Sequence, residues 1–204
     1  MTEIAAPSRE DIQYVRQLAE SGAHAPLLGG RFLAWWGFLL TGTYTIHHFA
    51  LQGALGDGKA IFATIWIGFA VLGLVGQLVL ARSMGAKSGS GSAGNRASRS
   101  VWAAAALAIV SMVFGTAVAA RNGAGPATFD WIVPVAFAVY ACALTVTGSL
   151  ARDTVTRTAG IGAVVMVGLF TALILSPERY LIAATGVFLT VLVPGLLLLR
   201  AEPR

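Results

Sequence analysis

Six stretches of this chain run without a single Asp, Glu, Lys or Arg: 32–51, 60–81, 101–120, 131–150, 158–175 and 180–199. An α-helix rising 1.5 Å per residue needs about 20 such residues to cross roughly 30 Å of hydrocarbon. Arginines stand only at the edges of these stretches. A charged group at the centre of a spanning helix costs about 2.5–3.5 kcal/mol on insertion scales, so each stretch is insertable by itself. Membrane β-strands are excluded, because they alternate polar and apolar residues over about ten positions. The expected fold is an all-α, polytopic membrane helical bundle of six transmembrane helices in three hairpins.

Composition agrees. Charged residues are 11% of the 204-residue chain, against roughly 25% for an average soluble domain, and the mean hydropathy is +0.75. The net charge of +5 does not point to nucleic acid, because the cations lie between apolar runs and not in a patch with interleaved aromatics. They serve instead to orient the chain. With the N-terminus in the cytoplasm, the inner segments carry Arg9, Arg16, Arg31, Arg82, Lys87, Arg96, Arg99, Arg152, Arg157, Arg200 and Arg204, and the outer loops carry only Lys59, Arg121 and Arg179. That 11-to-3 division of the 14 basic residues follows the positive-inside rule and predicts both termini in the cytoplasm. Trp35, Trp36 and Trp102 fall near inner helix ends, and Trp66, Trp131 and Tyr180 near outer ends, where amphipathic rings favour the headgroup boundary. The early acids and the lack of a short apolar core before residue 30 predict no cleavable signal peptide.

Residues 1–30 form a cytoplasmic helix and hinge, residues 31–200 the membrane domain, and 201–204 a tail. Ser8 and Asp11 resemble a capping box, with Asp in place of the longer Glu. Ile12, Val15, Leu18 and Ala19 then lie on one stripe of a helix over about residues 9–21, stopped at Gly22. This helix has a net charge of −1 from Arg9 and Arg16 against Glu10, Asp11 and Glu20. Lipid-surface helices are usually basic, so the stripe is expected to pack on protein, either its own bundle or a docked partner. Segment 83–100, rich in Ser and Gly, is expected to be a flexible cytoplasmic linker.

Pro26, Gly29 and Gly30 break helix ahead of the first span. The stretch from Ala25 to Trp36, with Pro26-Leu27-Leu28-Gly29-Gly30, resembles the start of a group of small bacterial inner-membrane proteins. These share a short cytoplasmic helix, a lead-in of this type and a tryptophan-bearing first span. The resemblance covers about a fifth of the chain. It implies a place in the bacterial inner membrane, beside winged-helix regulators, and brings no catalytic residues.

Within the spans the polar residues are neutral: Gln77, Ser111, Thr116, Thr145, Thr147, Thr171, Thr185 and Thr190. Coupled pumps place a buried acid or base on the ion path, and none stands here away from the interface. His47 and His48 end the first span. Adjacent helical residues point about 100° apart and cannot both ligate one haem axially. A zinc or copper site would have to draw on Asp57 in the next loop. No cofactor is expected, and no nucleophile–base–orienter spacing appears. Cys142, the one cysteine, reads as a small packing residue. Ala104, Ala108, Ser111, Gly115 and Ala119 make a ladder of small residues on the third span. It is a helix-packing face, either inside one subunit or between copies in a homo-oligomer. Pro194 should kink the last span near Thr190, and Ser176-Pro177 should cap its start.

These features support a non-enzymatic membrane subunit that regulates, senses or assembles through protein contacts. The alternative is a passive path for a small neutral or apolar solute, lined by Thr41, Thr45, Gln77 and Thr145.

Overall fold

The computed structural model describes residues 28–56, 58, 60–84 and 91–201, together with Gln13. Among these residues there is helix and turn but no strand. The helices are α1 (Gly30–Leu51), α2 (Ala60–Met84), α3 (Ala93–Ala119), α4 (Ile132–Leu150), α5 (Thr154–Ala172) and α6 (Arg179–Ala201). Helix covers most of each charge-free stretch. The amphipathic stripe Ile12, Val15, Leu18 and Ala19 lies outside the described residues.

Five helices, α2 to α6, are long and apolar enough to cross a membrane. The helix α1 has 22 residues, but its Gly, Thr, Trp, Tyr and His content makes it less apolar than the others. Its position accounts for that composition. It packs against α2 on one side and along much of α6 on the other, and Leu33, Leu40, Tyr44, His47 and His48 are all buried. The core joins α1, α4, α5 and α6 through residues such as Leu40, Phe137, Leu144, Phe170, Val187 and Val191.

Close approach between α1 and α6 depends on paired glycines. A Cβ at Gly37 would lie 2.6 Å from the backbone nitrogen of Leu192, and one at Gly195 would lie 2.4 Å from that of Ala34. Such backbone-to-backbone approach lets the two helices pack closely along their length. Among the described residues the α4–α5 contact is second in extent only to that of α1 with α6. Its turn is held by Asp153, which accepts the N–H of Thr156 at 2.7 Å and caps α5.

By contrast, α2 and α3 are peripheral. Only 6% of the most apolar stretch of α2 and 11% of that of α3 is buried. Leu107 and Phe114 on α3 are 71% and 69% exposed. Apolar faces of this extent belong in hydrocarbon or against another chain. The ladder of small residues shares this exposure. Ala104, Ala108, Ser111 and Gly115 are exposed and Ala119 is half-buried, while α3 turns Ala105 and Thr116 inward. The chain's own bundle therefore does not use the ladder: the packing face sits one residue, about 100°, around the helix.

Three further expectations change. The region expected as linker is helical from Ala93, because Ser92 caps α3 by accepting the N–H of Asn95 at 3.2 Å. Ser176 does not cap α6, which starts at Arg179; its hydroxyl accepts the N–H of Glu178 within the preceding turn. Cys142 is exposed on α4 and fills no gap in the core. Near Pro194, where a kink is expected, the described change is one of helical pitch. The helix widens into a π stretch over Phe188–Leu192 just before the proline, and the hydroxyl of Thr190 donates to the carbonyl of Gly186 at 2.7 Å. Widening is one way to absorb the amide hydrogen bond that proline cannot make.

Candidate functional site

Polar side chains gather at the end of the bundle that carries the α1–α2 and α5–α6 turns, termed the upper end here. Tyr44, His47 and His48 stand at i, i+3 and i+4 on α1 and so share one face. Each turns to a different neighbour. The indole N–H of Trp66 on α2 donates to His47 Nδ1 at 3.0 Å. That contact assigns the Nδ1 lone pair to Trp66 and, in the neutral ring, the proton to Nε2. The His47 ring also lies 4.0 Å, centroid to centroid, from Tyr180 on α6 and 5.0 Å from Phe62 on α2.

Tyr180 in turn donates its hydroxyl to Asp130 Oδ1. Asp130 belongs to the short 3-10 turn Pro126–Trp131 that leads into α4. Arg179 completes the group, with Nε 3.2 Å from Asp130 Oδ2 and its guanidinium 5.2 Å from the centre of the Tyr180 ring. The Nε–carboxylate contact is an ion pair by distance, but its angle misses hydrogen-bond geometry. Acid, base and aromatic rings thus clasp α1, α2, α4 and α6 together at one level.

His48 is 2% exposed, and its Nε2 faces two groups, Gln52 at 2.9 Å and the carboxylate of Glu178 at 3.4 Å. Glu178 is 52% exposed, so this pair is screened and contributes little. No group among the described residues bonds His48 Nδ1. The two histidines do not converge on a common point, and no three His, Cys, Asp or Glu side chains gather among the described residues. Asp57, the carboxylate considered as a third ligand, lies outside them. With Tyr180 between them, His47 and Asp130 do not form a base–orienter pair.

A second set of polar contacts ties the lower end. The amide of Leu28, just before α1, donates to Asn95 Oδ1 at 3.2 Å. Arg31 donates to Ser83 at 2.8 Å, joining the start of α1 to the end of α2. The hydroxyls of Ser98 and Thr147 meet at 3.4 Å between α3 and α4. Sequence reasoning missed Asn95 and Ser98 because both fell in the presumed linker; the Ser92-to-Asn95 spacing of a capped helix start was the available signal.

Between the two ends the interior is apolar. Trp36 donates to Gln77 Oε1 at 2.9 Å across the α1–α2 seam, and Thr45 bonds back to the carbonyl of Thr41 at 2.8 Å. The Thr145 hydroxyl is wedged against Gly160, whose added Cβ would meet it at 2.4 Å. Of the four residues considered for a solute path, Gln77 sits on the α1–α2 seam, Thr145 at the α4–α5 contact, and Thr41 and Thr45 bond within α1. Comparison of the chain with family models, with curated proteins and with solved structures finds no match.

Proposed function

We propose that this chain is a six-span protein of the bacterial inner membrane that works by contact with other proteins, as a regulatory, sensory or assembly subunit, and not by catalysis. In this reading α1 is the sixth crossing helix, shielded from lipid by α2 and α6, and the upper end faces outward. Both termini then lie in the cytoplasm, in keeping with the eleven cations on the lower side.

The observation that carries the proposal is how the polar groups are used. Of the polar contacts named above, those of His47 with Trp66, Tyr180 with Asp130, Trp36 with Gln77, Arg31 with Ser83 and Ser98 with Thr147 join one helix to another, while Thr45 and Gln52 bond back onto α1. The interior between the two ends is filled by Leu, Val, Phe and Ala, whereas a coupled transporter would need an acid or base on a path. What remains for function among the described residues is surface, the exposed faces of α2 and α3 with the ladder Ala104, Ala108, Ser111 and Gly115; the stripe Ile12, Val15, Leu18 and Ala19 is a docking candidate by its sequence pattern. The alternative, a passive path for a small solute, has the weaker support, since Gln77 bonds Trp36, Thr45 bonds Thr41 and Thr145 abuts Gly160.

The test is cross-linking in native membranes followed by identification of the captured proteins, with the full chain and with residues 1–22 deleted. Loss of a captured partner on deletion is expected. Recovery of the same partners from both forms would remove the docking role of the N-terminal segment.

A further inference from the structure

We propose that the groove between α5 and α6 is a binding site for one anionic phospholipid of the cytoplasmic leaflet. The proposal rests on the membrane reading above and adds a ligand to it.

The groove has a volume of about 610 Å³, within the range of ligand sites, roughly 300–1,000 Å³. Its walls include Val155, Val165 and Met166 from α5 and Leu189, Val193 and Leu197 from α6. Three features of the sequence shape it. Gly162 and Gly186 form its floor, where an added Cβ would meet Thr190 Cγ2 at 3.2 Å and Met166 Cε at 2.5 Å. The π stretch Phe188–Leu192 changes the register of α6 where it passes α5. Pro194 then lines the wall without a backbone donor.

Its position matches one leaflet. On α5 the lining runs from Thr154, at the helix start, to Met166, and on α6 from Gly186 to Leu197, close to the helix end. Twelve residues of helix span about 18 Å, while half of a bilayer core is about 15 Å. The groove therefore opens at the lower boundary and closes near the midplane, as an acyl chain does.

Charge supplies the rest. Thr154 and Thr158 place hydroxyls at the lower mouth. Arg200 follows Leu197 by three residues and so flanks the same side of α6 one turn further down. Arg152 lies in the turn just before Thr154, and Arg157 on the first turn of α5; all three arginines are exposed. No ion pair within the described residues engages Arg152, Arg157 or Arg200. The carboxylate next to Arg152 among the described residues, Asp153, is occupied in capping α5. An apolar slot one leaflet deep, with unengaged cations at its wet end, is complementary to a lipid with a negative headgroup and not to a neutral one.

The experiment is native mass spectrometry of the full-length protein extracted in mild detergent and titrated with phosphatidylglycerol or phosphatidylcholine of identical chains. The wild-type protein should retain phosphatidylglycerol preferentially. Arg200→Gln should lower that preference by about fivefold, the value of roughly one surface cation facing anionic lipid, and leave phosphatidylcholine binding unchanged. Val165→Trp, at a 63% exposed rim position, should weaken both lipids by obstructing the slot, whereas Leu107→Trp on α3 should alter neither. Equal retention of the two lipids by the wild type, or no response to either groove variant, overturns the proposal. So does a dimer mass lost in Val165→Trp, which would make the occupant a second copy. A chain that stays monodisperse in water without detergent would instead overturn the membrane reading itself.

Discussion

Gly195→Ala adds one methyl group where the backbones of α1 and α6 come close together. That methyl carbon would lie 2.4 Å from Ala34 N, 2.7 Å from Leu33 C and 2.8 Å from Leu33 Cβ. Two of those atoms are backbone, so no rotamer change relieves the overlap. Ordinary contact begins near 3.4 Å, and α1 and α6 must part by about 1 Å at this level. A gap of that size forfeits a quarter to a half of each contact, and each is worth about 0.1–0.2 kcal/mol. Over some tens of atom pairs along the crossing the loss is about 1–3 kcal/mol, the usual range for overpacking. Reversible unfolding in mixed micelles, titrated with a denaturing detergent, measures this. The matched control is Gly168→Ala: nothing lies within 4 Å of its added Cβ, and better helix propensity should leave stability equal or raised by up to about 1 kcal/mol. If Gly195→Ala and Gly168→Ala unfold at the same detergent fraction, glycine-mediated approach is not what holds α1 to α6.

The upper clasp yields two further predictions. Asp130→Ala removes both the acceptor of Tyr180 and the counter-ion of Arg179, which are partly solvated, so a loss of about 1–2 kcal/mol is expected in the same assay; no measurable loss would mean the clasp does not tie the 3-10 turn to α6. Trp66→Phe and His47→Phe should each destabilise, and a double-mutant cycle should return a coupling of about 0.5–1.5 kcal/mol for the indole–imidazole bond, while zero coupling would contradict it. Cys142 is exposed midway along α4, so in intact membranes it should resist a charged, water-soluble thiol reagent and become reactive only after full denaturation; labelling of the folded protein in membranes would place it in water.

The helices were legible in the sequence because their signal is local: twenty residues without a charge admit one structure in hydrocarbon. Helix bounds moved mainly where a cap intervened, as at Ser92, whose hydroxyl draws α3 back into a segment that composition alone assigns to linker. The candidate site was legible only in part. His47 and His48 stand out as the histidines of the first span, but nothing near them announces Trp66, Asp130 or Tyr180, which reach them through tertiary packing. The ladder on α3 illustrates the same gap. Spacing identifies its members, yet only the placement of α4 decides that Ala105 and Thr116, and not Ala104 and Gly115, face inward.

The partnership of α1 with α6 bears on how the molecule is made. These are the first and last of the described helices, so α1 leaves the synthesis machinery with only α2 to shelter its threonines and histidines. Its second flank stays uncovered until more than a hundred further residues have followed. A message truncated ahead of Arg179 would release a product whose least greasy helix has lost its cover, and such a fragment should be a substrate for membrane proteases. In the membrane reading, closure by the final helix is the step that completes the cover of α1.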